Sequence, residues 1–175
     1  MKHTIEFGAA PTRDRVLRVV LAAAVGFGLA ACASTGSTLP SYSPSTDVPG
    51  SYTHEFDATR DQIMTAAKRA IVSRGYSVAD WDPASGTLTT HAIRRRLEPD
   101  VADCGTLEGV GNGLASDRTK SRLYVGIVAR DGAAAIHATI EAEYRIPGLM
   151  DYLALDCVSS GVVEQRVAEA IRAQL

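Results

Sequence analysis

The chain has 175 residues, of which 18 are Lys or Arg and 20 are Asp or Glu; its formal charge is −2 and 46% of its residues are hydrophobic. That balance lacks the cationic excess that neutralises a phosphate backbone, so nucleic-acid binding is not expected. Three cysteines, at 32, 104 and 157, are few enough to be read one by one.

The first eighteen residues carry Lys2, Arg13, Arg15 and Arg18 against Glu6 and Asp14, and residues 19–31 are an uncharged apolar run. A membrane-spanning helix needs about twenty such residues; this shorter run suits the apolar region of a signal peptide. It closes on Leu29-Ala30-Ala31-Cys32, which resembles the lipobox of bacterial lipoproteins. The resemblance implies a signal peptide over residues 1–31, a diacylglycerol thioether on Cys32 and, commonly, a third acyl chain on its amine. One acyl chain binds a membrane marginally, whereas two or more hold it stably. The next residue is Ala33; the absence of an aspartate there implies the outer membrane under enteric-type sorting. The competing reading, a buried core helix or an uncleaved anchor, fits poorly with the composition of the adjoining segment. Residues 34–51 are rich in Ser, Thr, Pro and Gly and cannot bury enough surface to offset their ordering entropy. With Cys32 they are expected to form a flexible tether (32–51), spanning roughly 20–25 Å as a coil.

Residues 52–175 are long enough for one core. A strand is expected at 52–56, then a helix opened by Thr59 and Gln62 in capping-box spacing, with Ile63, Ala67, Ala70 and Ile71 on one face and Gly75 at its end. Strands at 76–80 and 87–93 flank the turn sequence Asp82-Pro83-Ala84-Ser85-Gly86. The clearest hairpin comes later. Leu123, Val125, Ile127 and Ala129 alternate with other residues up to Asp131-Gly132, a strong turn dipeptide. Ile136, Ala138, Ile140, Ala142 and Tyr144 then alternate with His137, Thr139, Glu141, Glu143 and Arg145. One apolar and one polar face predict a sheet covered on one side. A last helix is expected over 161–174, with Val163, Val167, Ala170 and Ile171 inward. The expected fold is α+β: a two-layer sandwich of an antiparallel sheet of about five strands with two helices on one face, in the order βαββββα. Residues 56–90, with the helix DATRDQIMTAAKRAIVSRGY and the turn DPASG, resemble the βαββ units of small envelope lipoprotein domains of the BamC type. No functional residue is implied by that pattern.

Lipidation of Cys32 would leave Cys104 and Cys157, for which an oxidising periplasm allows one internal pairing. A bridge would fasten the irregular segment 94–120 to the start of the last helix, adding about 4 kcal/mol by loop-closure entropy. Two free buried thiols or an intermolecular bridge are the alternatives.

Candidate chemistry is sparse. His54, His91 and His137 fall on three expected strands, and His137 shares a face with Glu141 and Glu143, a set able to ligate zinc. The spacing is nevertheless that of an ordinary polar sheet face, so no metal is expected. No Gly-x-Ser-x-Gly elbow occurs, a bridged Cys104 and Cys157 supply no thiolate, and the glycines of residues 108–113 lack a Walker lysine; catalytic residues and cofactors are expected to be none. Arg94-Arg95-Arg96 is the densest charge and could meet lipid phosphates or an acidic partner, but Glu98, Asp100 and Asp103 are expected to neutralise it locally. The sequence thus suggests a non-enzymatic envelope lipoprotein, held to the membrane through Cys32 with its domain facing the periplasm. It would serve as an interaction or accessory module for an envelope protein partner. The alternative is a small-ligand or metal-binding domain using the sheet face around His137 and Glu141.

Overall fold

The computed structural model describes residues 40–47, 50 and 52–175. The signal-peptide segment, Cys32 and the first part of the expected tether lie outside the described residues. In chain order the elements are β1 (Tyr42–Ser43), β2 (Tyr52–Glu55), α1 (Arg60–Ser73), β3 (Val78–Asp82), β4 (Thr87–Thr90), β5 (Ile93–Arg94), β6 (Ala102–Asp103), β7 (Thr106–Leu107), β8 (Gly111–Asn112), a 3-10 turn (Gly113–Ala115), β9 (Thr119–Arg130), β10 (Ala133–Arg145), β11 (Tyr152–Leu155), β12 (Val158–Ser159) and α2 (Val162–Arg172).

The expectation of a sandwich of about five strands in the order βαββββα is overturned. The molecule is still α+β, but its main antiparallel sheet has seven strands, in the order β11-β10-β9-β4-β3, with β2 also on β10 and β5 also on β9; β1-β7-β8 and β6-β12 form two further small sheets. The extra strands are mostly two residues long, too short to display a period of two. β1 falls inside residues 32–51, the stretch expected to be a tether. It pairs with β7, Tyr42 packs against the core, and Tyr42 Oη accepts the Asp156 N–H at 2.8 Å. Gly105 makes this docking feasible: its φ is +71°, and a Cβ there would collide with the Ser43 carbonyl oxygen.

The β9–β10 hairpin is the longest ladder, with register running from Ala133↔Arg130 to Tyr144↔Thr119. Its turn also starts α1: Asp131 Oδ1 accepts the Arg60 N–H at 2.8 Å, and Gly132 N–H donates to Ala58 O at 3.0 Å. The Thr59–Gln62 capping box is complete, which satisfies amides that a helix start otherwise leaves bare. Helix α1 buries Ile63, Met64, Ala66, Ala67, Ala70 and Ile71. Helix α2 packs on α1 and buries Val163, Val167, Ala168 and Ile171. Both lie over the sheet face formed by Leu88, Leu123, Val125, Ile127, Ala134 and Ile136, all at most 1% exposed. The strand expected at 87–93 is broken in two, since β4 and β5 each pair separately with β9. At the break Thr90 Oγ1 takes the Val125 N–H at 2.9 Å, replacing the missing backbone acceptor. No helix among the described residues is long and apolar enough to cross a membrane.

One acidic side chain is buried in this core. β2 covers one edge of β10 at residues 133–136 and β11 covers residues 142–145, leaving Ala138 between them. Its N–H donates to Glu164 Oε1 at 3.0 Å, and Ser159 Oγ donates to Glu164 Oε2 at 2.9 Å. Glu164 is 1% exposed, so it replaces a missing strand partner at that edge. Glu164→Ala is expected to lose about 2–3 kcal/mol of stability, because an amide is left buried and unsatisfied. Glu164→Gln, which keeps one acceptor, should lose less; urea unfolding curves check both.

Candidate functional site

The candidate site is on the uncovered sheet face. β9 and β10 put Arg122 opposite Glu141 and Lys120 opposite Glu143, while β5 puts Arg94 beside Arg122 on the other side. These residues, with Arg95, Arg96, Asp117, Thr119 and Ser121, line a cavity of about 400 Å³. Its walls are held by backbone contacts: Ser121 Oγ donates to Arg95 O at 2.6 Å, and Thr119 Oγ1 donates to Gly113 O at 2.6 Å. The first of these fixes the strand carrying the arginine run against β9. On the floor, Glu141 Oε2 accepts from Tyr124 Oη at 3.1 Å and from Arg122 at 3.5 Å. The Arg122–Glu141 pair is half exposed on both sides and contributes under about 1 kcal/mol. Lys120 Nζ reaches Tyr152 Oη at 3.3 Å.

All three arginines of the run line the open-face cavity, and Arg95 also borders a second depression with Arg74, Tyr76 and Arg166. The Tyr76 hydroxyl there is raised above its usual range by burial, against the opposing pull of Arg95, Arg74 and Arg166. Among the described residues the local neutralisation expected from Glu98, Asp100 and Asp103 is not found. Glu98 and Asp100 pair with Arg166 at 3.7 and 3.8 Å, and Asp103 accepts from Ser45 Oγ at 2.8 Å and from the Gly105 N–H at 3.0 Å. Sequence proximity suggests those carboxylates as counter-ions; the turn into β6 takes them to other partners.

The other sequence candidates separate. His137 and Glu141 share the open face, but Glu141 is engaged by Tyr124 and Arg122. His54 faces Ala134 in the β2–β10 ladder, on the helix side. Among the described residues no group of three His, Cys, Asp or Glu is placed to hold a metal ion. Cys104 and Cys157 form a disulfide, which leaves neither available as a nucleophile. The glycine-rich stretch 108–113 forms the turn from β7 into β8. Asn112 organises it, accepting the Leu114 N–H at 3.0 Å and donating to Ala102 O at 2.8 Å and Pro99 O at 3.1 Å.

No family model matches the chain, and no curated protein matches it. Among solved structures it is similar to a DUF4468 family protein from Bacteroides ovatus, at 15% identity and a TM-score of 0.39, over 69% of this chain and 66% of that one. The chain thus spans just under two thirds of that protein's length. A second similar structure is a TBP-like protein from Parabacteroides distasonis, at 14% identity and a TM-score of 0.41, over 71% of this chain and 81% of that one. Superpositions this loose say nothing of what the chain does.

The disulfide and the half-buried His54 each have a measurable consequence. The double variant Cys104→Ala/Cys157→Ala is expected to be less stable by about 4 kcal/mol, and reductant should lower the melting temperature of the unaltered chain but not of the variant. His54 is held below its ordinary pKa, first by burial and then by Arg172, with Glu164 opposing. The unfolded chain therefore binds the His54 proton more readily, and stability falls as pH drops through the ordinary histidine range near 6.5. The melting temperature should be lower at pH 5 than at pH 7.5, and His54→Gln should narrow that difference.

Proposed function

We propose that this chain is a lipid-anchored protein of the cell envelope. In this reading residues 1–31 are a signal peptide, Cys32 is acylated, and residues 52–175 face the periplasm from the outer membrane. The domain works by binding another envelope component and not by chemistry of its own. The observation that carries the reading is the Cys104–Cys157 disulfide. Disulfides persist in oxidising compartments and are rare in the cytosol. The bridge therefore agrees with the export that Leu29-Ala30-Ala31-Cys32 calls for. The proposed contact surface is the open sheet face, because the helices fill the other. The small-ligand alternative is favoured by the cavity on that same face; its metal-binding version has no support, since Glu141 is already engaged.

The Cys32→Ser chain is expected to stop incorporating labelled palmitate and to move from the membrane pellet to the soluble periplasmic fraction, with an unchanged melting temperature. A Cys32→Ser chain that still sediments with the outer membrane would show that the anchor lies elsewhere.

A further inference from the structure

We infer that the cavity between β5, β9 and β10 binds a phosphate-bearing ligand, held chiefly by Arg94, Arg96 and Arg122. This inference concerns the folded domain and stands whether or not Cys32 carries lipid. Its first support is an arrangement that is unfavourable without a ligand. Arg94 and Arg122 are register partners on adjacent strands, and like charges placed side by side on a sheet repel. Glu141, on the far side of Arg122, offsets part of that repulsion; it leaves Arg94 unrelieved.

The second support is the fate of the nearby carboxylates. Glu98 and Asp100 are drawn off to Arg166, and Asp103 to Ser45 and Gly105. Among the described residues neither Arg94 nor Arg96 takes part in an ion pair. Both residues line an open space of about 400 Å³, within the range of small-molecule sites. The planar donor fork of arginine matches the oxygens of a phosphate. The backbone carrying Arg94 and Arg96 is pinned to β9 through Ser121 Oγ and Arg95 O, which limits the ordering cost on binding. Asp117 and Glu143 line the same cavity. Glu143, like Glu141, is on β10 and disfavours an anion at that side, so the phosphate belongs at the β5 side. The remaining volume is left for the organic part of the ligand, whether a lipid headgroup or a soluble phosphate ester.

The test uses the full chain carrying Cys32→Ser, which has no acyl anchor, in detergent-free buffer. Glycerol 3-phosphate is titrated by calorimetry, and in parallel the chain is mixed with phosphatidylcholine vesicles with and without phosphatidic acid. Saturable binding of glycerol 3-phosphate supports a soluble phosphate ester. Association with phosphatidic acid vesicles alone supports a lipid headgroup. In either case Arg94→Gln should weaken binding tenfold or more and Arg94→Lys less, raised salt should weaken it, and Lys68→Gln, on α1, should leave it unchanged. Circular dichroism melts verify that each variant is folded. The inference is overturned if neither probe binds, if folded Arg94→Gln binds as the unaltered chain does, or if polyglutamate binds at this cavity while both phosphate probes fail.

Discussion

The β9–β10 ladder is the constraint on which the rest of this fold depends. Its twelve register pairs set which side chains face the helices and which face water, because a slip of one residue would exchange the two faces. Every other strand of the main sheet attaches to this hairpin directly, apart from β3, which joins through β4. Even the start of α1 is set by it, since the turn residue Asp131 receives the first amide of the helix. The core and the cavity on the open face are thus two sides of one pairing register.

That hairpin is also the most legible part of the sequence. Its alternation runs over many residues and its Asp131-Gly132 turn is distinctive; the capping box of α1 and its closing glycine are equally visible. The strands that overturn the five-stranded sandwich are not. β6, β7, β8 and β12 have two residues each, and their pairing depends on a disulfide, on the Asn112 side chain and on chain segments far away in sequence. β11 comes after Pro147-Gly148, which reads as the end of the sheet, yet the chain turns back and pairs with β10. Glu164 is hidden for a different reason. An acidic residue in the first turn of a helix is ordinarily explained by the helix dipole, and nothing local indicates that it completes a strand edge.

The candidate site divides in the same manner. The arginine run is conspicuous, and the acidic residues after it offer an easy explanation for it. What removes that explanation is tertiary: Arg166, from the last helix, holds two of the three carboxylates, and the third serves the segment around Ser45. A linear count of charges makes the run look neutral, whereas the folded chain separates cation from anion and leaves the arginine run beside an open basin. The histidine and glutamate pattern misleads in the opposite direction, because the shared face it implies exists but its central carboxylate is already in use.

The docking of β1 has a mechanical consequence. Tyr42 is tied to both arms of the disulfide, through the β1–β7 ladder just beyond Cys104 and through the Asp156 amide just before Cys157. Tension arriving along the chain from its N-terminal side meets β1 before β2. While β1 holds, that load passes into β7 and the residues around the bridge, and only after it peels does the covalent chain carry the pull to β2 and the central hairpin. The two-residue strand therefore acts as a weak link in series ahead of the core, yielding first and sparing the ladder that sets the rest of the fold.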